Sequence, residues 1–291
     1  MSTKVTDTAR IGWGFAAPGL TMLAIVMGLP VFYAAAISLS SMTLIRPALS
    51  FTGLANFAQI VSEPLFWNSL LITLRYSVAT VAGEFLVGLA IALMLRQVVT
   101  LRGVYFALLT LPMAMSPVAV ALIWRMLLQP NLGIVNQTLA AMGLPMVDWL
   151  GDSGLALKTM IFIDIWQQTS FVVLLLSAGL ASLPREPYEA ASVDGAGPVQ
   201  QFWYITLPLL RPVAMIAVVI QLINEFRTYD LIYILTKGGP GVSTELLSFF
   251  AYKRAFQGLA LNEGSAAAFI LLLIVLLITV VFFFLLERRK N

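Results

Sequence analysis

Glu189-Ala190-Ala191-Ser192-Val193-Asp194-Gly195, followed after nine further residues by Ile205-Thr206-Leu207-Pro208, decides how this chain is read. The segment is polar and lies between two long apolar runs. Pro184 ends the run before it, and Pro187 suits the first turn of a new helix, where its missing N–H is not needed. Glu186 and Glu189 fall near that N-terminus, where the helix dipole favours acid. Ala190 and Ala191 keep one face flat enough for close approach by a partner, and Gly195 can end the helix in a left-handed conformation. A Cβ at Gly195 is expected to obstruct the helix stop or a docked partner. Gly197-Pro198 forces a turn, Pro198 can open a further short helix, and Trp203, Tyr204 and Ile205 give it an apolar anchor. This is the design of a docking element at a membrane surface. On residue types alone, an ordinary amphipathic connector remains the other reading.

Composition supports the membrane setting. The chain has 291 residues, of which 60% are apolar and only 11% charged. No soluble domain of this length can hide that much apolar surface. Cysteine is absent, which excludes disulfides and thiol chemistry. Histidine is absent too, which removes the usual general base, the commonest zinc ligand and any Ser-His-Asp triad. There is no Gly-Lys dipeptide and so no phosphate-cradling P-loop. Neither catalytic residues nor a metal-ligand set can be read from the chain. The net charge of +3 does not point to nucleic acid, because the basic residues stand singly at the ends of apolar runs.

A span needs about 20 apolar residues. Six runs qualify, over residues 12–39, 69–95, 104–128, 155–181, 212–236 and 265–286, and they predict an all-α membrane protein. The first is too long for a cleaved signal and reads as a retained span. With the N-terminus inside, the inner segments hold nine Lys and Arg: Lys4, Arg10, Arg96, Arg102, Arg185, Arg211, Arg288, Arg289 and Lys290. The outer segments hold five: Arg46, Lys158, Lys237, Lys253 and Arg254. This bias puts both termini, and the Glu189 loop between spans four and five, in the cytoplasm. The outer pair Lys253-Arg254 falls in a segment, Ser243 to Phe256, that reads as a surface helix. Pro112 and Pro117 predict a kink in span three. Continuous apolar runs without alternation exclude a barrel.

The loop pattern E-A-A, three residues, G, nine residues, I-x-L-P resembles the signature of permease subunits of ABC importers, almost position by position from Leu183 to Pro212. Further matches lie outside the loop. Leu235-Thr236-Lys237-Gly238-Gly239-Pro240-Gly241 with Ser243-Thr244 looks like the segment after span five of sugar permeases. Leu111-Pro112 through Trp124-Arg125, and Gly133-Ile134-Val135-Asn136, are similar too. The resemblance covers most of residues 69–286 and is closest to the maltose and glycerol-phosphate type. The chain lacks the large outer domain and extra N-terminal spans of the maltose subunit and is nearer the plain six-span form. The resemblance implies a type I importer fold. Residues 1–68 would supply a cytoplasmic tail, the first span and an outer loop. Residues 69–286 would form a five-helix core with its coupling loop at 184–208, and 287–291 a second cytoplasmic tail. It implies that Glu189, Ala190, Ala191, Asp194 and Gly195 belong to the loop that docks on a separate ATPase. The implied partners are a second homologous permease, two copies of that ATPase, an extracytoplasmic sugar-binding protein, a sugar or polyol, and the bacterial inner membrane. ATP and magnesium would bind the ATPase, and this chain would hold no cofactor.

Charged groups within spans cost at least about 2.5–3.5 kcal/mol on insertion scales, so each needs a reason. Arg75 and Glu84 fall in span two, Arg125 in span three, and Asp164 in span four. Glu225, Arg227 and Asp230 fall in span five. Asp164, Gln167, Gln168 and Phe171 share one helix face, and Gln221, Glu225 and Thr228 form a second stripe. Acid, amide and hydroxyl groups beside an aromatic ring suit a polyhydroxyl ligand. The stripes also fall where maltose-type permeases contact their sugar, so the resemblance implies a substrate pathway here. The other reading is interhelical pairing of Asp164, Glu225 or Asp230 with Arg227, Arg125 or Arg75, with Arg227 and Asp230 a ready pair.

Two other classes of function remain at this point. A secondary transporter would carry its own coupling-ion site and usually two related halves, and no such repeat is visible. An intramembrane enzyme would need a catalytic pair, which paired aspartates alone could supply. Two motifs are decoys. Gly151-Asp152-Ser153-Gly154 lacks a histidine partner and reads as an outer turn. Asn136-Gln137-Thr138 is a glycosylation sequon meaningful only in a secretory pathway. The topology is directly testable. Reporters inserted near Ser192 and fused after Asn291 should read cytoplasmic, and one near Ser153 external. An external signal at Ser192 would remove the loop from any cytoplasmic ATPase.

Overall fold

A computed structural model describes residues 13, 15–97 and 101–287. Lys4, Arg10, Arg288, Arg289 and Lys290, together with the end of the chain at Asn291, lie outside the described residues. The helices are α1 (Phe15–Ser38), α2 (Ala55–Ser62), α3 (Pro64–Gln97), α4 (Arg102–Ala114), α5 (Pro117–Leu127) and α6 (Ile134–Ala141). They continue as α7 (Ala156–Ala181), α8 (Glu186–Val193), α9 (Pro198–Phe226), α10 (Asp230–Leu235), α11 (Leu247–Tyr252) and α12 (Leu261–Glu287). No strand occurs among the described residues beyond a single bridge between Ser40 and Phe51. Five helices, α1, α3, α7, α9 and α12, are long and apolar enough to cross a membrane. The α4–α5 pair makes a sixth span if it is counted as one broken crossing.

That break follows from proline. α4 and α5 meet at 91° across Met115 and Ser116, both extended. Ser116 precedes Pro117, and a residue before proline is pushed out of the helical region. Pro112 stays inside α4. The expected kink is therefore a full break, placed at the second proline.

The described residues fall into two compact units. One holds the chain up to Pro64 with Ala251–Ile270. There, the Asn56 amide donates to the carbonyls of Ser38 and Ser40 at 2.8 and 2.7 Å and accepts from Asn262 at 2.8 Å. Arg254 pairs with Glu63 and, at 3.5 Å, with Glu263. Arg254, one of the cations counted on the outer side from sequence, is thus offset by two acids.

The other unit holds Leu65–Phe250 and Leu271 onward. Its core is built by α3, α7 and α9, where Leu89, Ala92, Val172, Leu176, Leu180, Leu210 and Ala214 form one buried cluster. Small residues let these helices approach closely. A Cβ at Gly88 would stand 2.8 Å from Val172, and one at Gly179 would stand 2.9 Å from both Leu210 and Val213. The segment Ser243 to Phe256, expected as a surface helix, instead buries Leu246, Leu247, Phe249 and Phe250. Four large apolar side chains in five residues outweighed its polar flanks. Asn136 is fully buried: its amide donates to Pro130 and Val147 and accepts from Val147 and Trp149. It pins the loop after α6. Asp152 accepts from the amides of Gly154 and Leu155 at 2.8 and 2.9 Å, which makes Gly151–Gly154 the expected turn.

Overpacking the α3–α7 contact should be felt throughout this core. Gly88→Leu is expected to cost about 1–3 kcal/mol, read as a lowered thermal midpoint in detergent. An unchanged midpoint would mean that the helices do not meet at Gly88.

Candidate functional site

The loop between α7 and α9 forms the first candidate site. α8 runs from Glu186 to Val193, with Pro187 in its first turn, and none of its residues is buried. Gly195 has φ +79°, the left-handed stop that its position called for. The Gly195 amide donates to Ser192 at 3.2 Å and the Ala196 amide to Ala191 at 2.8 Å. These two bonds make a Schellman motif, which satisfies carbonyls that the helix end leaves free. A Cβ at Gly195 would meet no atom of this chain within 4 Å. What excludes other residues is backbone strain, about 1–2 kcal/mol for an L side chain in this region.

The loop is tied back at three points. Gln201 donates to Ser192 and to the Ala196 carbonyl, both at 3.1 Å. The Tyr188 and Thr206 hydroxyls lie 3.0 Å apart, and the Arg96 guanidinium at the end of α3 stands 5.0 Å over the Tyr188 ring. What remains open is an outward surface. Glu189, Ala190 and Asp194 are exposed, and Val193 is 88% exposed. Trp203 and Tyr204 are also exposed. The expected apolar anchor thus does not pack into this chain at Trp203 and Tyr204, while Thr206 and Leu210 enter the protein interior.

The second candidate site lies among α3, α7 and α9. The residues of the two stripes separate into a buried set and a half-open set. Asp164, Gln167, Gln221 and Glu225 are buried, while Gln168, Phe171 and Thr228 are half-buried. Tyr76 donates to Asp164. Gln221 donates to Glu84 at 2.8 Å and accepts from Asn224 at 3.1 Å. Thr228 lies 3.4 Å from Glu225. Gln167 turns elsewhere and donates to the Met115 carbonyl at 3.3 Å, at the α4–α5 break. The carboxyl groups of Glu84, Asp164 and Glu225 converge, with ligand-capable oxygens all within 4.8 Å of one another.

The arginines do not join this group. Arg125 donates to the Ile234 carbonyl at 2.9 Å, while Arg75 and Arg227 are exposed. The expected Arg227–Asp230 pair is not formed, and both side chains point outward. Sequence reading missed Tyr76 and left Glu84 outside the stripes. A signal for both was present: Tyr76, Thr80 and Glu84 recur every four residues along one face of α3.

Residues 84–289 match the family of binding-protein-dependent transport system inner membrane components. The chain is 36% identical to the trehalose/maltose transport system permease protein MalF of Thermococcus litoralis, over 84% of this chain and 83% of that one. It is 32% identical to the sulfoquinovosyl glycerol transport system permease protein SmoG of Agrobacterium fabrum, over 86% of this chain and 82% of that one. A crystal structure of a bacterial ABC transporter for the acidic polysaccharide alginate contains a chain of the same fold. The match has a TM-score of 0.85 at 23% identity and covers 99% of both chains. With this match over most of its length, the chain belongs to the binding-protein-dependent transport system inner membrane components, the permeases of ABC importers.

Proposed function

We propose that this chain forms half of the translocation pore of an ATP-driven importer for a sugar or polyol. The observation that carries the reading is the α8 loop: an exposed helix of eight residues, stopped by a Schellman turn and tied to two spans, in a chain of the permease family. Relatives named for trehalose/maltose and sulfoquinovosyl glycerol transport support a carbohydrate substrate. Glu189, Ala190, Ala191, Asp194 and Gly195 form the docking face for a cytoplasmic ATPase, which binds ATP and magnesium. Two such ATPases sit under a pair of related permeases in the bacterial inner membrane, with both termini of this chain in the cytoplasm. An extracytoplasmic binding protein delivers the substrate. Closure of the ATPases draws the docking loops together, opens the pore outward, and hydrolysis returns it inward.

Gln168, Phe171 and Thr228 are the accessible part of the proposed substrate pathway. Asp164, Gln167, Gln221 and Glu225 are its buried members, and Glu225 accepts from Thr228 at 3.4 Å. A polyhydroxyl ligand fits an amide, a hydroxyl and a ring face, because amides bind hydroxyls in pairs and rings pack on C–H faces.

Two experiments test these assignments. Gly195→Asp places a side chain on a left-handed backbone at the docking face. The complex should still reach the membrane, while uptake falls by at least about tenfold, as loss of about 1.4 kcal/mol of coupling requires. Wild-type uptake by Gly195→Asp together with Glu189→Lys would sink the docking assignment. For the pathway, Gln168→Ala should raise the apparent KM by about fivefold or more at an unchanged thermal midpoint, since a hydroxyl partner is lost. Glu225→Gln should instead lower the midpoint. If uptake per assembled complex is unaltered for Gln168→Ala and Thr228→Val, the pathway lies elsewhere.

A further inference from the structure

Tyr188 is a side chain of α8 that reaches two spans at once. Its ring lies under the Arg96 guanidinium of α3, 5.0 Å from the centroid. Its hydroxyl stands 3.0 Å from that of Thr206 on α9. Thr206 is 4% exposed, while no residue of α8 is buried. The bond therefore runs from a surface helix into the protein interior. Where it lands matters, because α9 does not begin as a regular helix. It opens with one α-helical turn, Pro198–Gln201, and then a π-helical turn, Phe202–Thr206. Regular α-helix resumes at Leu207. Gln201, which donates to Ser192 and to the Ala196 carbonyl, holds the loop to α9 before the π-helical turn. Thr206 meets Tyr188 at the far end of that turn. Such turns are rare departures from the α-helical ladder and occur often at functional sites. A displacement entering α9 at Gln201 must pass through this turn. One entering at Thr206 reaches the regular helix directly.

We propose that the hydrogen bond between Tyr188 and Thr206 couples the docking loop to span five, with Tyr188 as the positioning residue and Thr206 as its receiver. This role rests on the reading of α8 as the ATPase-docking element, and it assigns the connection to a single bond. The fold of the loop does not depend on that bond. The Gly195 stop, the bond from the Ser192 hydroxyl to the Tyr188 carbonyl at 2.8 Å and the two bonds from Gln201 hold α8 without it. Arg96 rests on the ring face, a contact that needs no hydroxyl. Tyr188→Phe therefore removes the connection and leaves the loop and the ring contact in place.

The chain contains no cysteine, so a single reporter thiol can be placed on it. Asn224→Cys and Arg227→Cys each put the thiol at an exposed position near the end of α9. In the transporter assembled with its ATPase in detergent, N-ethylmaleimide labelling of this chain is timed without nucleotide and after trapping with ATP and vanadate. With Tyr188 and Thr206 intact, trapping should change the labelling rate by about fivefold or more at one or both positions. Tyr188→Phe and Thr206→Val should each cut that change to about twofold or less, below the usual range of coupling between sites, with the ATPase still co-purifying. The double variant should match either single one, since both changes break the same bond. Thr206→Ser keeps the hydroxyl and should retain the full change. A full change in Tyr188→Phe or Thr206→Val overturns the proposal, as does an intact pair in which trapping alters neither reporter. A double variant clearly worse than either single one overturns the pairing. Loss of the ATPase from Tyr188→Phe alone overturns the positioning role by making Tyr188 a docking residue, and leaves the docking reading intact. Failure of the ATPase to co-purify with the unsubstituted chain overturns the docking reading and this role with it.

Discussion

Inside a bilayer there is no water to receive a stray amide or carbonyl, so a backbone that leaves the helix must be satisfied by the protein itself. Span three meets this constraint at its hardest point. Pro117 forces Ser116 out of the helical region, and the chain turns through 91° at the break. Two polar side chains of α7 answer for the exposed backbone. Gln167 donates to the Met115 carbonyl and Ser170 to the Leu109 carbonyl. The fold around the break depends on these bonds. α7 carries polar residues along one side because α4 needs them, and the same helix packs its apolar side against α3 and α9.

The same rule applied to charge separates the two kinds of polar group in the spans. Arg125 is resolved by a backbone carbonyl, and Arg254 by two acids. The acids of α3, α7 and α9 converge on one another and meet only neutral donors, Tyr76, Gln221 and Thr228. Close packing makes this arrangement rigid. Glycines at 83, 88 and 179 bring the helices near enough that short side chains reach across.

Much of this was legible in the chain. The α8 loop could be read almost residue by residue, because proline, acid, alanine and glycine each act through local backbone physics. Gly195 adopts the left-handed conformation its place in the pattern requires. The stripes on α7 and α9 were visible because a single helix defines each. Their division of labour was not, since Gln167 serves a break 52 residues away and Gln221 serves Glu84 across 137. The burial of Phe249 and Phe250 was hidden for a similar reason: a short apolar patch says nothing of which helix will cover it. At Gly195 the structure locates the cost of a Cβ in the torsion of the helix stop, since the space around it within the chain is open.

Tyr188 has a mechanical consequence. Its ring receives Arg96, at the end of α3, and its hydroxyl meets Thr206, where α9 turns into its apolar run. A load applied to α8 therefore divides between two levers. One path runs into the second span by a charge resting on a ring, a contact that tolerates sliding. The other runs into the fifth by a directional bond that does not. A short stroke at the surface would turn α9 more than it shifts α3. Torque, rather than simple displacement, would then be what the loop delivers to the interior.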